Sequence, residues 1–434
     1  MLLQFAVENY LSVREQAVLS MLKPPGARVD PRHVVRVGDT WEVLRCAALY
    51  GANASGKSNL VRALGTFRRL VTHGVRPDET LPAQPFLLDG AHESAPTRFE
   101  LELLLDGQHH AYGIVFTRER VVQEWLYRVH GAREEMLFER KLDPAGEAAV
   151  ITLGETVTAD PTRRQFLSFV ATGTRDNQPF LTECGERKAH ELTPVLAWCR
   201  ETPTIIRPEA QHLALTGFLA DASNRSWVEA KLHGWGTGVA GIEIQKRPVD
   251  GPIPLVNDEP HGLQRDEAGL WQRSVRFRHG PEGSPTLPWS DESDGTRRLM
   301  HLLPALRRAT EHGKGPSLLV IDELDRSLHT ALTRQFVETF LDGCAADGSQ
   351  TQLIFTTHDT NLLNGKLLPP ASIWFVEKDR HGASQLYALA EFPDAQVDQL
   401  LEHLEDGYLQ GRFGAIPFIA SRDQLAWRPP RGAA

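Results

Sequence analysis

Residues 51–58 read GANASGKS and meet the pattern G-x-x-x-x-G-K-[ST] at every fixed position. The run before them, VLRCAALY (Val43 to Tyr50), reads as a buried strand. After them Leu60, Val61, Leu64, Phe67, Leu70 and Val71 recur at helical spacing. A strand, a glycine-rich turn and a helix in that order form a phosphate cradle. The glycines let the backbone curl so that successive N–H groups face one anion, and the helix brings the positive end of its dipole to the same point. Lys57 is expected to reach the β- and γ-phosphates of a nucleotide, and the Ser58 hydroxyl to hold Mg²⁺. The expected nucleotide contacts are Gly51, Asn53, Ala54, Ser55, Gly56, Lys57, Ser58 and Asn59.

A second run completes the chemistry. In SLLVIDEL (Ser317 to Leu324) four apolar residues end in adjacent carboxylates, Asp322 and Glu323. A buried strand stopping at paired acids suits Mg²⁺ chemistry: Asp322 is expected at the ion, and Glu323 at the attacking water as general base. The strand-like QLIFTTH (Gln352 to His358) ends in a lone histidine. The apolar stripe Leu332, Phe336, Val337, Phe340 and Leu341 predicts a helix between the two, a β-α-β unit that brings both strand ends to one sheet edge and His358 near the γ-phosphate.

The 434 residues, 41% hydrophobic and 24% charged, have an ordinary globular composition with room for two or three domains. Glu8, Arg14 and Glu15 interrupt the N-terminus where a signal peptide would be apolar, and no apolar run approaches the ~18 residues of a membrane span. A cytoplasmic protein is expected. Cys46, Cys184, Cys199 and Cys344 lack C-x-x-C spacing and read as buried thiols. A formal net charge of -9 argues against coating nucleic acid over the whole surface. The basic pairs Arg68–Arg69, Arg163–Arg164, Arg297–Arg298 and Arg307–Arg308 read as solvated faces, with local DNA contact left open.

The first segment looks like a hairpin leading towards the phosphate-loop strand: Leu3, Phe5 and Val7 alternate with polar residues, then break at Glu8 and Asn9. FELELLL (Phe99 to Leu105), the turn Asp106-Gly107 and AYGIVF (Ala111 to Phe116) predict a second hairpin. VVQEWLYRV and EMLFERK add two strands to it. Residues of about 160 to 235 read as a compact helical insert, and Lys246 to Gly269 as a mobile loop. Val376 to Asp379 starts a hairpin that returns through Leu386 to Phe392. The expected divisions are 1–79, the first part of the head with the phosphate loop; 80–155, an antiparallel β lobe; 156–285, the insertion and return; and 286–434, the rest of the head.

GANASGKS, SDESDGTRRL, LLVIDELDRSLH and IFTTHD, in this order, resemble the ABC-type ATPase heads of the SMC and double-strand-break-repair class. They resemble more closely the standalone AAA-type ATPases of bacterial defence loci, relatives of the OLD-family nuclease head and of ATPases paired with anticodon-nuclease and TOPRIM-like effectors. FAVENYLSV, QPFLLD (Gln84 to Asp89) and YLQGRFGAIP (Tyr408 to Pro417) extend the likeness over most of the chain. The resemblance implies an α/β fold, an ABC-type P-loop head with an antiparallel β lobe and a compact helical insertion. It implies two heads sandwiching ATP and Mg²⁺, hence a homodimer or higher homo-oligomer. Ser293 and Gly295 would reach the nucleotide of the other head, although Ser293-Asp294-Gly295-Thr296 stands where transport-type heads have a double glycine. Asp325 resembles the residue linking the two sites, His358 the γ-phosphate switch, and Gln84 the glutamine that senses Mg²⁺. Pro304, inside the stripe of Leu299, Leu302, Leu303 and Leu306, is expected to kink or divide the signature helix.

Two functions compete. One is an ATPase whose head dimerisation regulates a separately encoded effector, a nuclease or toxin, in anti-phage defence. The other is an SMC- or RecF-like repair ATPase that clamps DNA. An intrinsic nuclease is not expected, because the stretch after His358 is too short for a TOPRIM domain.

Overall fold

Three short apolar strands, β5 (Cys46–Tyr50), β16 (Leu318–Ile321) and β17 (Gln352–Thr356), are buried at every residue. Burial on both faces is what a parallel sheet covered by helices requires. With β11 (Pro203–Ile206), β18 (Ile373–Lys378) and β19 (Ser384–Ala388) they form a six-stranded sheet in the order β11-β16-β17-β5-β18-β19, parallel except for β19. Alternate residues serve different cores. Ala47, Leu49, Leu318 and Val320 face one hydrophobic cluster, and Cys46, Ala48, Leu319 and Ile321 the other. The computed structural model describes residues 1–416 apart from 144–145, 147, 190–191, 209–214, 250–261, 267–268, 312–316, 347 and 394–402.

The first cluster lies between this sheet and an antiparallel one of seven strands. There β1 (Leu2–Glu8) pairs with β2 (Ala17–Ser20) and with β6 (Thr97–Leu105), followed by β7 (Gln108–Phe116), β8 (Val121–His130), β9 (Arg133–Leu142) and β10 (Ala149–Leu153). The hairpin register sets Phe99 against Ile114 and Leu101 against Tyr112, as the alternation predicts. Helix α1 (Lys57–His73) is wedged between the sheets. Its whole predicted stripe is buried, and the Phe67 ring lies 5.8 Å from Phe5 and 5.9 Å from Phe99. The Gln352 side chain joins the sheets directly, accepting from Leu2 N at 2.7 Å and donating to Leu2 O at 2.9 Å.

Several expectations are corrected. The expected N-terminal hairpin is β1 with β2, and β1 also pairs with β6, which places the hairpin in the seven-stranded sheet. VLRCAALY is two strands: β4 (Trp41–Leu44), paired with β3 (Val34–Val37), and β5, broken at Arg45, whose N–H bonds to His33 O at 2.8 Å. After the single turn α2 (Gly90–Glu93), the region expected to be a compact helical insert does hold α3 (Pro161–Gly173), α4 (Phe180–Glu186), α5 (Pro194–Glu201), α6 (Leu215–Ala220) and α7 (Ala222–Gly234). It also holds β11, an edge strand of the main sheet too short for alternation to reveal.

A further sheet follows, with β14 (Gly269–Arg278) between β12 (Gly241–Pro248) and β13 (Gly262–Asp266), and β15 (Thr286–Pro288) added to β14. The two ends of the loop expected at 246–269 are therefore strand, and its central residues 250–261 lie outside the described residues. Helix α8 (Asp294–Ala309) runs unbroken through Pro304, with Leu302, Leu303 and Leu306 buried around it. With α9 (Thr330–Ala346) between β16 and β17, α8 covers the other sheet face. The last described helix is α10 (Leu404–Leu409), where Tyr408 packs on Phe375. All four cysteines are buried, and no described helix is long and apolar enough to cross a membrane.

Candidate functional site

The phosphate loop lies between β5 and α1, and its glycines are required by space as well as by conformation. Gly51 has φ 155° and Gly56 φ 113°. A Cβ at 51 would come 2.2 Å from Val376 O, and one at 56 would come 2.1 Å from Ser384 Oγ and 2.7 Å from Ser12 Oγ. Those two serines brace the loop from below. Ser384 Oγ donates to Ser55 O at 2.5 Å and lies 2.8 Å from Ser12 Oγ, and Asn59 Nδ2 donates to Ser12 Oγ at 2.6 Å. Asn59 is thereby placed under the loop, its amide taken up by the protein itself. Asn53 and Ala54 are exposed on the outer side, Ala54 in the left-handed region at φ 62°.

Helix α1 begins at Lys57 without a side-chain cap, and Asn59 N donates to Gly56 O at 2.9 Å, so the positive end of the helix is turned to the loop. The Ser55 hydroxyl is buried and has no partner among the described residues. Lys57 Nζ donates to Gly51 O at 2.7 Å and Ala52 O at 3.0 Å, and lies 3.5 Å from His358 Nδ1. Burial pulls its ammonium down to about 8, against the opposing pull of Asp322, Asp325 and Glu323. A cation held by two loop carbonyls, beside a helix start and the unpartnered Ser55 hydroxyl, is a cradle suited to phosphate oxygens.

The acidic edge is bonded to the same cradle. Ser58 Oγ donates to Asp322 Oδ1 at 3.1 Å, and Thr356 Oγ1 donates to that oxygen at 2.7 Å. Among the described residues no group of three or more His, Cys, Asp or Glu side chains can hold a metal. One hydroxyl and one carboxylate fit Mg²⁺, an ion that normally completes its octahedron with water and substrate phosphates. Glu323 stands in the left-handed region at φ 51°, a conformation costly for a residue with a Cβ, and its N–H is held by Thr356 Oγ1 at 2.8 Å. Its carboxylate is partly open to solvent and 3.7 Å from Arg326.

Sequence reasoning missed what fixes this turn. Arg298, read as half of a solvated basic pair, is buried and donates to Asp322 O at 3.0 Å and Glu323 O at 2.7 Å. The available signal was its helical position: Arg298 stands four residues before Leu302, on the inward face of α8. Arg297, on the outside, pairs with Asp294 as a surface residue would.

The remaining predicted residues fall into two groups. His358 N approaches the Asp325 carboxylate at 3.3 and 3.4 Å, which brings both to the Lys57 end of the site. Ser293 caps α8 through Thr296 N at 3.1 Å, and a Cβ at Gly295 would lie 3.0 Å from Ser327 O. Neither Ser293 nor Gly295 hydrogen-bonds Lys57, Ser58 or Asp322 of its own chain. Gln84 is exposed, and its side chain lines a separate cavity beside α1 with Tyr10 and Thr66, without a hydrogen bond to Ser58 or Asp322.

The family described as "AAA domain, putative AbiEii toxin, Type IV TA system" matches residues 46–364. No curated protein matches the chain. Among solved structures, the chain is similar to an SMC head bound to the C-winged helix domain of ScpA, at 11% identity over 92% of this chain and 99% of that one (TM-score 0.42). The SMC head domain from Thermotoga maritima aligns at 14% identity over 89% and 98% (TM-score 0.37). The Smc head with an extended coiled coil bound to the C-terminal domain of ScpA, from Pyrococcus furiosus, aligns at 11% over 92% and 98% (TM-score 0.40). The matched span runs from the phosphate-loop strand past the acidic edge and His358, and the chain belongs to this AAA-domain family.

Proposed function

We propose that this protein is a Mg²⁺-dependent ATPase in which ATP joins two copies through their heads, and that its nucleotide state holds or releases a separately encoded nuclease or toxin in bacterial anti-phage defence. One observation carries the reading: Lys57, Ser58, Asp322, Thr356 and Glu323 converge on one sheet edge, with Ser58 and Thr356 both bonded to Asp322 and the Glu323 carboxylate left open. Bound Mg²⁺-ATP supplies a phosphoryl group open to in-line attack by water. Lys57 holds the β- and γ-oxygens, Ser58 and Asp322 hold the ion, and the Glu323 carboxylate takes the proton of the attacking water. His358 and Asp325 sense the γ-phosphate at the Lys57 end. Ser293 and Gly295 of a second copy close over it, where a hydroxyl, an N–H and the start of α8 offer donors. The family description names a putative toxin and a Type IV TA system, which supports a toxin-linked role without placing the toxin on a second chain. Asp322, Glu323 and Asp325 are committed to nucleotide, so no nuclease activity of the chain itself is expected.

The shared site is tested by mixing. Lys57→Ala and Ser293→Arg proteins are each inactive, but a heterodimer of the two keeps one intact composite site, so partial ATPase activity returns. A mixture that stays inactive while subunits demonstrably exchange overturns the shared site. Tight duplex binding with a steep salt dependence replaces effector control by the DNA-clamp reading.

A further inference from the structure

Helix α1 carries the phosphate loop at its start and a second polar site on its flank. A cavity of about 340 Å³ opens there, walled by α1, the segment around Gln84 and the end of β11. Four arginines line it: Arg62, Arg68 and Arg69 from α1 and Arg207 from beyond β11. Arg68 is committed, with Nε donating to Cys199 O at 2.8 Å and a terminal nitrogen to Arg200 O at 3.1 Å. Arg62, Arg69 and Arg207 are exposed and have no ion-pair or hydrogen-bond partner among the described residues. Elsewhere some arginines find a carboxylate, as Arg32, Arg36, Arg297 and Arg334 do, and others, such as the exposed Arg28 and Arg133, have none among the described residues; what distinguishes Arg62, Arg69 and Arg207 is that they line one cavity.

Three unneutralised guanidiniums around one concavity raise each other's free energy, a cost removed when an anion enters between them. In a chain of net charge -9, three arginines on one concavity with no carboxylate partner among the described residues are a local departure from the overall sign. Guanidinium forks match phosphate oxygens in pairs, and the Thr66 hydroxyl in the same wall adds a neutral donor. The volume suits one or two phosphate groups with their ester substituents and is far too small for a duplex.

We propose that this cavity is a second phosphate site, distinct from the phosphate loop, which takes a phosphate ester through Arg62, Arg69 and Arg207. Two sources share that chemistry, a single-stranded nucleic acid and a small soluble phosphate compound. The site also has a route to the first. The carbonyl of Gln84, on the cavity wall, accepts from Leu11 N at 2.6 Å, and the next residue, Ser12, bonds Asn59 under the loop.

The test uses the full chain with its phosphate loop filled by Mg²⁺ and a non-hydrolysable ATP analogue. A labelled short oligothymidylate is titrated by fluorescence anisotropy, with inorganic pyrophosphate as competitor and an oligoglutamate peptide as a third probe. The Arg69→Glu/Arg207→Glu double variant is expected to bind the phosphate probes at least tenfold more weakly, and its salt slope to shrink by about 1.4 for two lost single-strand contacts. Melting temperature and analogue affinity stay at wild-type values, because both side chains are exposed and unpaired. Displacement of the oligonucleotide by pyrophosphate assigns the site to small phosphates, and binding of the oligonucleotide alone assigns it to a strand. The proposal is overturned if neither phosphate probe binds, if the double variant binds as well as wild type, or if only oligoglutamate responds to the substitutions.

Discussion

Glu124 in the antiparallel lobe and Glu323 at the edge of the parallel sheet are the same residue type in opposite circumstances. Glu124 is fully buried and closed by the chain itself. Its oxygens accept from Phe180 N at 2.6 Å, Leu181 N at 3.0 Å and Tyr112 Oη at 2.9 Å, which fastens the start of α4 to the lobe. Burial raises its carboxyl above the usual range, with nearby Arg140 opposing. Arg140, equally buried, gives its own terminal nitrogens to the carbonyls of Gln178, Arg175 and Asp176. Glu323 instead has its backbone fixed from three directions, by Thr356, Arg298 and its own left-handed turn, while its carboxylate is left open. The lobe uses its buried charges to hold segments together. The sheet edge holds its turn under backbone strain and leaves a charge open to solvent.

That contrast is broken most sharply by exchanging the two glutamates' fates. Glu323→Gln removes the proton acceptor and leaves the cradle, so turnover should fall by about 10²- to 10⁴-fold while Mg²⁺-ATP still binds. Steady-state hydrolysis measured beside nucleotide binding checks this, and undiminished turnover removes Glu323 from the reaction. Glu124→Ala should do the reverse. It strands two buried N–H groups and a tyrosine hydroxyl, lowering stability by about 3 kcal/mol with little change in turnover per folded molecule. Denaturant titration reads the loss, and a wild-type midpoint contradicts the lobe's role.

A smaller effect is expected at Lys57. Lys57→Ala deletes a charged donor to phosphate, worth about 1.5–3 kcal/mol, and should weaken nucleotide affinity roughly ten- to hundredfold without lowering stability. Smallest is the pH response of the wild type. The ammonium is held down to about 8 in the free protein, and bound phosphates favour its charged form. Affinity for Mg²⁺-ATP should therefore be level below about 8 and fall, by at most about tenfold per unit, as pH rises through it. Calorimetric titrations on both sides of that value check the sign, and an affinity that rises with pH contradicts it.

Much of this site is legible along the chain because its parts are local: the glycines of the loop, the acids at a strand end, the histidine at the next. Their supports are not. Ser384 reaches the loop from 372 positions beyond Ser12, and no local pattern marks a serine that fills the space beneath a glycine. Arg298 was hidden by composition, since an arginine pair looks like surface until a helix face is assigned to each member. In the fold, hairpins joined by Asp106-Gly107 are readable, whereas the pairing of β1 with β6 depends on a strand some ninety residues away. The four residues of β11 give too short a run to display a period.

The most direct test of the account is the solution mass of the Glu323→Gln protein, by light scattering, with and without saturating Mg²⁺-ATP. The open edge of one copy completed by nucleotide and by Ser293 of another predicts a species that holds two chains, with ATP retained, and loses that state when Ser293→Arg is added. A mass unchanged by Mg²⁺-ATP, with nucleotide demonstrably bound, contradicts it.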